Sequence, residues 1–236
     1  MWAFSTLFAA LTLLPTATFG AQVVFNLDIV NTQLAPDGFT RDTVVPNGTF
    51  PGPTFKVQKG DSVVIHTHNK LTSPDMRRST SIHWQASHGF FQARTSGMDG
   101  PSFVNQCPIA PNTTFDYVFD TANQTGSGSL FLNTDSTIIT LAEWYHTVAP
   151  QVQNSFFKTG AISVQDSVLI NGKGRYVNGT AVPYAVITVT QGLRYRFRVF
   201  SLSCRPYMTL SFDNHTFGAN VIVSLDLMLH YGARWS

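Results

Sequence analysis

Charge is scarce in this 236-residue chain: Asp, Glu, Lys and Arg together make up 12% of it, about half the share usual in soluble domains. Its 15 basic and 13 acidic residues leave a formal net charge of +2, and no run of Lys or Arg is longer than Arg77-Arg78. No electrostatic footprint for nucleic acid or an acidic membrane surface follows from such a sequence. A hydrophobic content of 43% excludes a charge-extended disordered chain. Long apolar runs are missing as well. The longest, Ala3 to Leu14, is roughly half of the ~20 residues a membrane span needs. Amphipathic helical periodicity of useful length is absent, and cysteine is limited to Cys107 and Cys204.

The apolar run at the start is followed by Pro15 and small residues, with Thr18 and Gly20 at the minus-three and minus-one places. This is the layout of a secretory signal, residues 1–20, cleaved before Ala21. Sequons at Asn47, Asn112, Asn123, Asn178 and Asn214 fit a secreted, extracellular glycoprotein with no membrane association after cleavage. In an oxidising compartment, Cys107 and Cys204 read by count alone as one disulfide.

Short alternating or β-branched runs recur between Gly, Pro, Asn and Asp punctuation, which defines an all-β chain. The expected strands are Val23 to Asn31, Thr54 to Gln58, Ser62 to Asn69, Ser79 to Trp84, Thr114 to Asp120, Thr137 to Trp144, Ser167 to Asn171, Val186 to Thr190, Tyr195 to Ser201 and Met208 to Asp213. Their spacing suggests Greek-key barrels or sandwiches. A break falls between Thr125 and Ser136, where Gly126-Ser127-Gly128-Ser129 interrupts the pattern.

The residues with most chemical content run from Arg77 to Ile109. They include Ile82-His83-Trp84, then Gln85-Ala86-Ser87, His88-Gly89-Phe90-Phe91-Gln92, Asp99-Gly100 and Gln106-Cys107-Pro108-Ile109. Together with Thr137 to His146, Leu169 to Tyr176 and Ser201 to Cys204, this stretch resembles the fungal laccases, which are multicopper oxidases. Their first copper signature is His-Trp-His-Gly followed by Asp-Gly and Gln-Cys-Pro-Ile. The resemblance implies cupredoxin-like β-barrels, copper as cofactor, and phenolic or related small molecules and dioxygen as partners in the reaction. Residues 21–126 would form a first cupredoxin-like domain lacking its last strands. Residues 127–236 would form part of a second, with a divergent tail from about Phe217.

By the same resemblance, His83 and His88 correspond to copper ligands. Gln85-Ala86-Ser87 widens their spacing to five residues, so an unbroken strand would aim the two imidazoles at opposite faces, where His-x-His would aim both at one. The family's Trp-x-His-x-His segment is absent after Gly126, and its two C-terminal His-rich segments, with the blue-copper Cys and His, do not occur in this sequence. Trp144-Tyr145-His146 lacks the second His of such a segment. His66-Thr67-His68 has suitable spacing but lies where the family has no ligand and reads as a solvated strand face; His215, within a sequon, and His230, in the tail, are set aside. The family's usual cysteine partners are missing, so Cys107 and Cys204 would each be orphaned. Arg205 stands where the family often places an Asp lining the substrate pocket.

The expectation is a laccase-type sequence that retains family architecture but, as this chain alone, is inactive. The alternative is a non-catalytic secreted β module that holds a single copper weakly through His83 and His88 or associates with intact laccase. A third reading is a chain that does not fold stably, its missing strands leaving sheet edges unpaired.

Overall fold

The computed structural model describes residues 20–84, 95–122 and 138–191, together with 195, 197–203, 208, 210 and 211. Its elements are strands with one helix: β1 (Gln22–Leu34), β2 (Arg41–Pro46), β3 (Ser62–Lys70), β4 (Thr114–Asp120), β5 (Ile138–Trp144), α1 (Ala149–Thr159), β6 (Ser167–Ile170) and β7 (Arg198–Ser201). They form one sheet in the order β2-β1-β3-β4 and another in the order β6-β5-β7.

Alternation explains the first sheet. In β3, Val63, Ile65, Thr67 and Asn69 are buried while Val64, His66 and His68 face outward, as a period of two requires. Parallel pairing sets Val23 beside Val63 and Phe25 beside Ile65. Antiparallel pairing with β4 sets those two residues opposite Phe119 and Tyr117. Rows such as Phe25-Ile65-Tyr117 therefore line one face, and Leu27, Ile29, Val57, Leu71 and Ile109 complete its core with Phe55, Ile82 and Trp84 packed against it. Each fully buried large apolar side chain stabilises by about 1.5–3 kcal/mol relative to exposure. The second sheet has a smaller core of Ile139, Leu141 and Met208, and a separate cluster of Ala142, Trp144 and Leu169.

Several expected strands are not strands. Thr54 to Gln58 forms no ladder; Phe55 and Val57 instead cover the first core. Ser79 to Trp84 is reduced to a single bridge, Thr80 to Ile109. The chain there is held by side chains: Asn69 donates from Nδ2 to the Arg78 and Ile109 carbonyls at 2.7 and 2.8 Å. Val186 to Thr190 runs unpaired with Val186 and Val189 exposed, and the strand expected from Tyr195 is confined to Arg198–Ser201. Of Met208 to Asp213, residues 208, 210 and 211 are not in a strand and the others lie outside the described residues. The helix α1 corrects the expectation of none. It buries no residue, starts on Pro150 in its first turn and ends at Gly160, whose φ of 67° closes it with an N–H bond to the Phe156 carbonyl. Among the described residues no helix is long and apolar enough to cross a membrane. The boundary expected at 126/127 lies outside the described residues.

Candidate metal centre

His83 is positioned by its neighbours in sequence. The Ile82 N–H donates to Tyr117 Oη at 2.9 Å, and the Trp84 N–H donates to the Asp99 carbonyl at 3.1 Å. Trp84 turns into the core against Phe55, Tyr117 and Phe119, so His83 turns the other way and is 41% exposed. Burial raises the Tyr117 phenol above its ordinary value, against the lowering effect of the bonds from Ile82 and Gln106. The phenol thus stays neutral and keeps its oxygen available to Ile82.

Asp99 supplies the second support. It closes the short 3₁₀ turn Ser96–Met98, and its carbonyl oxygen lies 2.8 Å from His83 Nδ1. A carbonyl can only accept, so Nδ1 carries the proton and the Nε2 lone pair is left for a ligand; this is the usual second-partner arrangement of a metal-binding imidazole. Gly100 permits the approach: its φ is 100°, and a Cβ there would stand 1.7 Å from the Ile82 carbonyl oxygen. The Asp99-Gly100 pair was visible as a motif, but its role as a backbone seat for His83 was not.

The other histidines do not join it. His88, with Gln85 to Ser87, lies outside the described residues, as do His215, His230, Arg205, Cys204, Asn123 and Asn214. His66 lies on the outward face of β3, its Nδ1 2.7 Å from Asp116, while His68 faces Asp28 at 3.9 Å and Lys70 pairs with Asp28 at 2.6 Å. That face is the one away from Trp84 and the core, in keeping with a solvated strand surface. His146 donates from Nε2 to the buried Asp37 at 2.8 Å. Cys107 is exposed. Asn47, Asn112 and Asn178 are exposed.

Among the described residues no three His, Cys, Asp or Glu side chains converge to hold a metal. The Trp84 Nε1 is buried without a hydrogen-bond partner, but it is a donor and offers a cation nothing. Among the described residues His83 thus stands apart from the other histidines, and such an arrangement does not fit a closed copper cluster.

A four-stranded and a three-stranded sheet, each over its own apolar core, define an all-β chain. The family description "Multicopper oxidase" matches residues 28–138 and again residues 135–226. The chain belongs to the multicopper oxidase family and is a homologue of fungal laccases. It is 52% identical over 241 residues to laccase-2 of Agaricus bisporus, covering 90% of this chain and 46% of the relative. It is 55% identical over 221 residues to laccase-1 of the same fungus, covering 81% and 42%. The crystal structure of the laccase from Botrytis aclada superposes with a TM-score of 0.63 at 26% identity, over 78% of this chain and 39% of that one. The chain thus spans about half the length of the curated relatives it matches.

Proposed function

We propose that this chain is a secreted, glycosylated laccase-type polypeptide, with cupredoxin-like domains at 21–126 and 127–236. By itself it does not carry out the family's copper-dependent oxidation of phenolic substrates with reduction of dioxygen to water. One observation carries this reading: His83 keeps a ligand's tautomer on its Asp99 seat, yet no second and third donor joins it among the described residues. A single imidazole cannot gather several coppers, since a selective transition-metal site takes about three or four protein ligands. Oxygen uptake by the purified, copper-loaded chain with a methoxyphenol is the test. No uptake above free copper is expected, and sustained stoichiometric uptake would overturn the reading.

A second reading, a non-catalytic module holding one copper weakly through His83 and His88, draws on the open Nε2 of His83. Copper content after dialysis separates the two: one retained copper per chain, lost in His83→Ala, supports the module, and near zero opposes it.

A further inference from the structure

The tip of the β1–β2 hairpin, residues 36–39, leaves the first sheet and enters the surroundings of the second. The Pro36 carbonyl accepts the Gly174 N–H and the Asp37 carbonyl the Tyr176 N–H, both at 3.0 Å. Gly38, at a φ of 94°, packs so closely that a Cβ would stand 1.9 Å from the Thr180 carbonyl oxygen. Phe39 stacks on the His146 ring at 3.9 Å and 12°, and Tyr176 meets that ring edge-on at 4.5 Å. At the centre of this seam is a carboxylate with no solvent exposure, Asp37. Its Oδ1 accepts the Phe39 N–H at 3.1 Å. Its Oδ2 accepts His146 Nε2–H at 2.8 Å and the Ser167 hydroxyl at 2.6 Å.

A buried carboxylate is costly unless its oxygens are filled, and losing its partners leaves a charge with nowhere to go. Two of the three donors come from the second sheet's side: His146 directly after β5 and Ser167 at the start of β6. Neither side of the seam can open without stripping the same group. We propose that Asp37 is a lock that couples the β1–β2 hairpin to the second sheet, so that the tip and the facing 166–176 segment open together as one unit. The lock makes no use of copper or of His83.

Hydrogen exchange on the full 236-residue chain tests it. Asp37→Asn preserves shape but turns one acceptor oxygen into an NH2 that must face a donor. Exchange at Phe39, Gly174 and Tyr176 should rise together by at least tenfold, with β3 and β4 amides changed less than twofold. Ser167→Ala, which keeps the carboxylate and its bond to His146, should give a two- to fivefold rise in the same amides. A rise on one side of the seam only, or a change below twofold in Asp37→Asn, would overturn the lock. If Asp37→Asn does not accumulate as folded protein, the same criteria applied to Ser167→Ala decide.

Discussion

The carbonyl oxygen of Asp99 stands 2.8 Å from Nδ1 of His83 and 3.1 Å from the backbone nitrogen of Trp84. One backbone acceptor thus fixes both the tautomer of the exposed imidazole and the turn that sends Trp84 into the core. Gly100→Ala tests that seat, because its added Cβ meets the Ile82 carbonyl in a left-handed backbone position. A loss of about 2 kcal/mol or more is expected in thermal or denaturant unfolding. His83→Ala, at a half-exposed side chain, should stay within roughly 0.5 kcal/mol of the parent. The reverse order of the two losses would contradict the seat.

Tyr117→Phe removes the oxygen that accepts the Ile82 N–H, leaving a half-buried donor without that partner. Destabilisation of about 1–3 kcal/mol is expected from urea titration. Phe119→Ala, two residues on and wholly buried, should cost about 3–5 kcal/mol by cavity formation. Equal losses from both substitutions would mean that the phenol oxygen contributes as much as an aromatic ring, which this geometry does not support.

Asp37 gives stability a defined dependence on pH. Burial pushes its carboxyl up, but the bonds from Ser167, His146 and the Phe39 N–H outweigh that and hold it below its ordinary value of 3.8. The charged and titratable groups acting on it are Arg41 from β2 and His146 after β5, and His146 is itself faced by Asp166 before β6 and the Tyr176 ring. With the folded value below the unfolded one, the contribution is complete above about pH 4 and disappears as pH falls through the lowered folded value. Unfolding free energy measured from pH 6 to pH 2 should therefore fall less steeply in Asp37→Asn than in the parent. Parallel curves would contradict the assignment.

The exposed sequons differ in their side-chain engagement. Asn47 Oδ1 accepts the Asp28 N–H at 2.7 Å and is part of the β1–β2 pairing region, whereas Asn178 lies in a turn beyond β6. On the proposed glycosylation, Asn178→Gln should remove one glycan from the expressed chain with little change in stability. Asn47→Ala should cost about 1 kcal/mol even after enzymatic deglycosylation, through its lost bond. Glycan mass by intact-protein mass spectrometry and melting of deglycosylated samples check both.

Strands β1, β3, β4 and β6 were legible because each alternates and turns one face inward, and β5 because its apolar run buries Ile139 and Leu141 in one cluster and Ala142 and Trp144 in another. Strand β2 was not: it opens on Arg41-Asp42 and buries only Thr43 and Val45, with the Thr43 hydroxyl satisfied by the Thr32 carbonyl. Helix α1 escaped because it buries nothing and lacks a side-chain N-cap, although Pro150 and Gly160 bracket it. His83 was singled out in the sequence by its flanking residues, which carry the resemblance, whereas its seat on the Asp99 carbonyl depends on a tertiary contact. Asp37 was not, since only the tertiary fold brings His146 and Ser167 to it across more than a hundred residues.

The central proposal is that this chain keeps the laccase framework while its described residues gather no working set of copper ligands. Copper content and visible absorption of the purified chain after copper loading and dialysis test it most directly. The account predicts no blue band and far less than the family's several coppers per chain. A strong band near ~600 nm, expected of a thiolate-ligated copper, with several coppers retained, would contradict it.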